Sequence, residues 1–121
     1  MILVDTSVWI EHLRRGQDRL AELLHQGQVM CHPFVIGEIA LGALTRPRAV
    51  LRPLAELPVV QVVDHEDALA FVQQRALGGR GIGWVDVHLL ASALLDRTPL
   101  WTFDRRLGHV ARELDVAWDG S

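Results

Sequence analysis

Met1-Ile2-Leu3-Val4-Asp5-Thr6-Ser7 opens the chain with a short apolar run that stops at a carboxylate. Ile2, Leu3 and Val4 do not alternate with polar residues. That is the pattern of a strand covered on both faces, as in a parallel sheet. Val8-Trp9-Ile10-Glu11-His12-Leu13 then has helical character. Asp5 is thereby placed at the carboxyl end of a central strand, where open α/β sheets bind their ligands. An Asp, Thr or Ser here also suits a helix cap, and the two roles are compatible.

Outward from this start, strands and helices alternate. Gln17 to Gln26 reads as a helix with Leu20, Leu23 and Leu24 on one face, ended by Gly27. Gln28 to Cys31 is a short strand, and Pro33 suits the first turn of the next helix. That helix, Phe34 to Leu44, is apolar nearly all round, with Glu38 as its one charged residue. Such a helix is expected to be buried, so Glu38 should be buried with a partner or a cation. Arg48 to Leu57 reads as a helix despite Pro53, and Val59 to Val63 as a strand. Asp64 suits the cap of a helix over Glu66–Ala76.

Gly78 to Gly83 is a glycine-rich loop, but without a following Gly-Lys-Ser/Thr it is not a phosphate-binding P-loop. Trp84 to Asp96 is a helix apolar enough to be central, with Asp86 in its first turn. Leu100 to Phe103 is a strand followed directly by Asp104, repeating the opening pattern. Arg105 to Leu114 is a last helix, and Val116 to Trp118 an edge strand. The order predicts an α/β fold over residues 1–121 as one domain. Its central sheet is mostly parallel, of about four to five strands, with helices on both faces.

Half the residues are hydrophobic and 22% are charged, which fits neither a disordered tail nor a membrane protein. No stretch approaches the ~18 apolar residues of a membrane span. Cys31 is the only cysteine, so no intramolecular disulfide forms, and a reducing cytosol fits. The net charge of −3 is an unusual sign for a nucleic-acid binder. All 12 basic residues are Arg, however, the better bidentate phosphate ligand. Arg46 to Arg52 suit RNA contacts or a solvated face equally. Arg80 at the loop tip and His88 receive no firm role.

Right-handed crossovers bring the carboxyl ends of parallel strands to one edge. Asp5, Glu38, Asp86 and Asp104 can converge there. Two carboxylates ~4 Å apart repel by about 4 kcal/mol at an effective dielectric near 20. Such a cluster takes up protons or binds a cation. All-oxygen ligands favour Mg²⁺, with Mn²⁺ as a substitute, over zinc. Mg²⁺ held this way commonly acts on phosphates, and one or two ions suffice for phosphodiester hydrolysis.

Ile2-Leu3-Val4-Asp5-Thr6-Ser7, Phe34-Val35-Ile36-Gly37-Glu38, Gly83-Trp84-Val85-Asp86-Val87-His88-Leu89-Leu90-Ala91 and Trp101-Thr102-Phe103-Asp104 resemble, in order and spacing, the motifs of PIN-domain nucleases. They most resemble the VapC toxins of bacterial type II toxin–antitoxin pairs. The resemblance implies a PIN-like fold and a cytoplasmic Mg²⁺-dependent endoribonuclease that cuts tRNA, rRNA or mRNA. It also implies a homodimer silenced by a cognate VapB-type antitoxin, with DNA contacted only through that partner. By motif, Asp5 and Asp86 would be metal ligands, and Glu38 and Asp104 would complete the catalytic cluster. Thr6 and Thr102 match hydroxyl positions near the site. Arg105 and Arg106 depart from the pattern, standing where some relatives carry a further acid, so the number of metal ions stays open.

The alternatives are a PIN nuclease of RNA maturation or of DNA, and a non-catalytic antitoxin-binding module. Phosphate transfer through an aspartyl phosphate fits poorly. It wants an Asp where Ser7 stands, and a Lys, which the chain lacks.

Overall fold

The computed structural model describes residues 1–121. Three short strands form the sheet: β1 (Ile2–Val4), β2 (Val29–Met30) and β3 (Leu100–Trp101). They lie in the order β2-β1-β3, all parallel, with Ile2 opposite Val29 and Leu3 opposite both Met30 and Leu100. Seven helices connect and follow them: α1 (Thr6–Arg15), α2 (Asp18–His25), α3 (Pro33–Ala40), α4 (Pro47–Ala55), α5 (His65–Gln74), α6 (Trp84–Asp96) and α7 (Arg105–Glu113). Isolated parallel bridges, Cys31 to Val59 and Leu100 to Ala117, add a rudimentary edge on each side.

β1 is paired on both sides, and Leu3 and Val4 have no exposed surface. The unalternating apolar run is therefore covered on both faces, as expected. It belongs to a core cluster of 22 buried residues. The chain steps from β1 through β2 to the Val59 edge, then returns across the sheet to β3 and Ala117. With right-handed crossovers, the outward steps put α1 to α4 on one face and the return puts α5 to α7 on the other. The helix contacts agree: α1 packs on α3, α3 on α4, and α5 on α6. The direction of winding reverses beside β1, so Asp5 follows the strand at the switch point of the sheet.

The sheet is smaller than the expected four to five strands. Val59 to Val63 makes one bridge instead of a strand. Val60 returns a hydrogen bond to Cys31 O, but the next residue is drawn to α6: Gln61 N donates to Asp96 and Gln61 O accepts from Ser92. Beyond that point the valines have no facing strand, and β propensity without a partner does not extend a ladder. Gln28 to Cys31 contracts to Val29–Met30, and Val116 to Trp118 is reduced to the bridge at Ala117. Leu100 to Phe103 contracts to Leu100–Trp101, because the next backbone groups turn to side chains of the site.

The helix expected over Phe34 to Leu44 ends at Ala40, and only Val35 and Ile39 of it are buried. Glu38 is exposed and Leu41 is 90% exposed, which corrects the expectation of a buried carboxylate. Apolar composition without periodicity predicts burial but cannot say whether a neighbour covers every side. α6 fulfils its expectation, with every residue from Val87 to Ala93 buried. Asp64 caps α5 through the Asp67 N–H at 2.8 Å. No helix is long and apolar enough to cross a membrane.

Candidate active site

Each of the four acids begins or lines a helix beside the end of β1, and each is held by one of its two oxygens. Asp5 is the N-cap of α1 and is nearly buried. Its Oδ2 accepts from the Ser7 hydroxyl at 2.7 Å, the Thr102 hydroxyl at 2.7 Å and, more weakly, the Ser7 N–H at 3.4 Å. Asp86 occupies the third position of α6 and accepts from the Gly83 N–H through Oδ2 at 2.9 Å. Asp104 is the N-cap of α7 and accepts from the Leu107 N–H through Oδ1 at 2.9 Å. Glu38, on α3, accepts from the Thr6 hydroxyl through Oε1 at 2.7 Å. The second oxygen of every one of the four has no protein donor.

Two hydroxyls lock the ends of β1 and β3 together. Phe103 N–H donates to Ser7 Oγ at 2.9 Å, and Asp104 N–H donates to Thr102 Oγ1 at 3.0 Å. Both hydroxyls then donate to Asp5. The backbone that would have continued β3 as a strand is used to orient the carboxylate. Thr6 and Thr102 stand beside the acids, as the motif comparison implied. Ser7 was missed as more than a possible cap. The signal was a second hydroxyl two residues after the Asp, within reach of its own side chain.

Burial raises the Asp86 carboxyl above the ordinary carboxylate range. The Gly83 N–H opposes the rise, while the charges of Asp5, Asp104 and Glu38 add to it. Asp86 thus feels all three of the other acids. No Arg or His forms an ion pair with any of the four. The side chains do not close into a three-ligand cage, and Mg²⁺ does not require one. It is typically held by one or two carboxylates, with water and substrate phosphate completing its shell. A donor set of carboxylate oxygens alone, none of them ion-paired, fits such a cation. Cys31 offers no thiolate, since burial pushes it up to about 11.

A buried histidine pair joins the start of α3 to α6, the helices that carry Glu38 and Asp86. His32 caps α3 by accepting from the Phe34 N–H at Nδ1, 3.0 Å. Its Nε2 and the Nδ1 of His88 are buried without partners, with the rings 6.2 Å apart. His88 also packs on Phe34 and Trp84. Burial, and secondarily His88, lowers His32 to about 4. His32 is therefore neutral in the folded chain, while the unfolded chain takes up a proton near 6.5. Its contribution to stability is full above about 6.5 and is lost as pH falls through about 4. Urea midpoints are expected to fall across this window, and His32→Asn, which keeps a cap acceptor, to flatten the fall. An unchanged slope in that variant would assign the acid sensitivity elsewhere.

Comparison with known proteins follows the same lines. The PIN domain family model matches residues 2–113. The chain is 51% identical over 118 residues to ribonuclease VapC32 from two strains of Mycobacterium tuberculosis, covering 97% of this chain and 95% of theirs. Among solved structures, a toxin–antitoxin complex from Klebsiella pneumoniae contains a similar chain. That match has a TM-score of 0.66 and 21% identity, over 86% of this chain and 87% of that one. FitAcB from Neisseria gonorrhoeae gives a TM-score of 0.62 at 23% identity, over 97% and 95%. The fold agrees in both, and the full-length identity to VapC32 carries the assignment further. The chain belongs to the PIN-domain family, in its VapC ribonuclease branch.

Proposed function

We propose that this chain is a Mg²⁺-dependent endoribonuclease, the toxin of a type II toxin–antitoxin pair, with Mn²⁺ able to substitute. One observation carries the reading: four carboxylates surround the end of β1, each anchored by one oxygen with the other left without a donor. Asp5 and Asp86 would hold the ion, with Glu38 and Asp104 completing the negative field. When bound, Mg²⁺ polarises a phosphoryl oxygen and makes water a stronger acid. Asp86, whose carboxyl is raised by burial and by its acidic neighbours in the metal-free chain, would be held ionised by a bound cation together with Asp5. Ser7 and Thr102 keep Asp5 from rotating, and Thr6 does the same for Glu38.

The partners follow from the same family reading. The Mycobacterium relative is named a ribonuclease, and the Klebsiella neighbour belongs to a toxin–antitoxin complex. An apolar groove between α1 and α4, lined by Trp9, Leu13, Leu24, Val50, Leu54 and Leu57, supports a VapB-type antitoxin docking an amphipathic segment. Residues 1–121 surround one core, which supports a single PIN domain; the cytoplasmic location and the homodimer are carried over from the VapC family reading alone.

The test is a titration of the purified protein, freed of any partner, with Mg²⁺ and Mn²⁺ against total cellular RNA. Discrete fragments are expected that vanish in EDTA and in Asp86→Ala. Intact RNA at every metal concentration, with antitoxin still bound tightly, would replace the nuclease by a non-catalytic antitoxin-binding module.

A further inference from the structure

A second charged surface adjoins the acids and has the opposite sign. α7 and the glycine-rich loop enclose an open cleft of about 680 Å³ lined by Arg80, Arg105, Arg106 and Arg112, which also takes in Thr102 and Asp104. One-third of the chain's 12 basic residues meet here. Their placement is built. Arg80 Nη2 donates to both carboxylate oxygens of Glu113, at 2.9 and 2.8 Å, which fixes the loop to α7. Arg106 lies across Gly81, where a Cβ would stand 2.9 Å from its Cδ and Nη1. Gly81 has φ +78°, so a larger residue is disfavoured there on backbone grounds as well. Arg112 Nη1 lies beside Gly108, where a Cβ would stand 3.4 Å from it. Arg105, Arg106 and Arg112 have no carboxylate in ion-pair reach.

We infer that this cleft binds the backbone phosphates of the RNA strand next to the scissile bond, with Arg105, Arg106 and Arg112 as the phosphate ligands. The inference rests on the nuclease reading of the adjacent acids. A strand with one phosphate at Asp5 and Asp86 must carry its neighbouring phosphates away from four carboxylates. The cleft that shares Thr102 and Asp104 with them supplies cations on that route. Guanidinium groups suit phosphate oxygens through paired donors. The chain as a whole is negative, so attraction for a polyanion has to be local. An acidic protein segment is the competing occupant, and the measurement below separates the two.

The experiment measures binding of a fluorescent single-stranded RNA of mixed sequence across NaCl concentrations. The full chain in an Asp86→Asn background prevents cleavage. Arg105→Gln, Arg106→Gln and Arg112→Gln together are expected to lower the slope of log affinity against log salt by about 2, at roughly 0.7 per phosphate contact on a single strand. Arg46→Gln, Arg48→Gln and Arg52→Gln on and beside α4 are expected to leave it unchanged. A slope loss that follows the α4 set, or neither set, overturns the inference. So does an unchanged RNA slope with weakened antitoxin binding, which would make the cleft a protein-docking surface. Cleavage assays with Asp86 intact separate the two readings. Metal-dependent cleavage with unaltered salt slopes leaves the nuclease standing and removes the cleft, whereas no cleavage by the unaltered chain removes both.

Discussion

Asp86→Asn is expected to lower metal-dependent RNA cleavage by about 10²–10³-fold and, without metal, to raise the thermal midpoint at neutral pH. The first effect is the loss of one preorganised charge from a site that stabilises developing charge, with typical costs of that size. The second follows from the raised pKa. The folded chain holds a proton on Asp86 more tightly than the unfolded chain does, because of burial and then the charges of Asp5, Asp104 and Glu38. That stabilisation is complete below the ordinary value of 3.8 and is lost as pH rises through the raised folded value. At neutral pH the ionised carboxyl is therefore a net cost. Asparagine removes the charge and can still accept the Gly83 N–H through its amide oxygen. Mg²⁺ should reverse the ranking, since an ion at a hundred times its Kd adds about 2.7 kcal/mol to the state that binds it. Melts from pH 4 to 8, with and without Mg²⁺, read both effects. A lower midpoint for Asp86→Asn at pH 7 without metal would show that the acids do not strain the fold.

How much of this was legible in the sequence depends on whether a residue's partners are local. Leu3 and Val4 announce a doubly covered strand by their lack of alternation, and Val87 to Ala93 announce a central helix in the same way. Asp5 and Asp64 sit where caps are expected, and both cap; Asp86 lies in the first turn of its helix as expected. The misses are long-range. Val59 to Val63 has strong β propensity, but its ladder ends because Asp96 and Ser92 on α6 take the backbone of Gln61. Glu38 lies in an apolar run, yet apart from the Thr6 hydroxyl its side chain is open to solvent, and exposure is a property of neighbours. The placement of four acids around β1 could be inferred from right-handed parallel topology. For Asp86 and Asp104 the held oxygen is set locally, by a backbone N–H three residues away, but for Asp5 and Glu38 the division into a held oxygen and a free one could not be read, since it depends on hydroxyls 97 and 32 residues distant. Arg105 and Arg106 stand out in sequence only as a departure from a motif. Their arrangement around Gly81 becomes visible once α7 and the loop meet.

Asp5→Ala should also abolish cleavage, but with the opposite sign on stability, and that contrast separates the two central acids. Asp5 is 5% exposed and its Oδ2 receives two hydroxyl hydrogen bonds of 2.7 Å. Hydrogen bonds to a charged group contribute about 1.5–3 kcal/mol each, and removing an N-cap side chain costs about 0.5–2 kcal/mol. These losses overlap, because Ser7 Oγ and Thr102 Oγ1 lie 3.2 Å apart and can pair with each other. Relief of repulsion with Asp86 offsets part of the cost. A net loss of about 2–3 kcal/mol is expected on these grounds, with a lower urea midpoint at pH 7. The β3 end should loosen as well, since Phe103 N–H and Asp104 N–H are held through the two hydroxyls that Asp5 orders. Hydrogen exchange at those two amides is the specific readout. Faster exchange at Phe103 and Asp104, with α6 amides unchanged, would place Asp5 as the joint between the first and last strands of the site. Equal acceleration throughout would reduce its role to that of an ordinary helix cap.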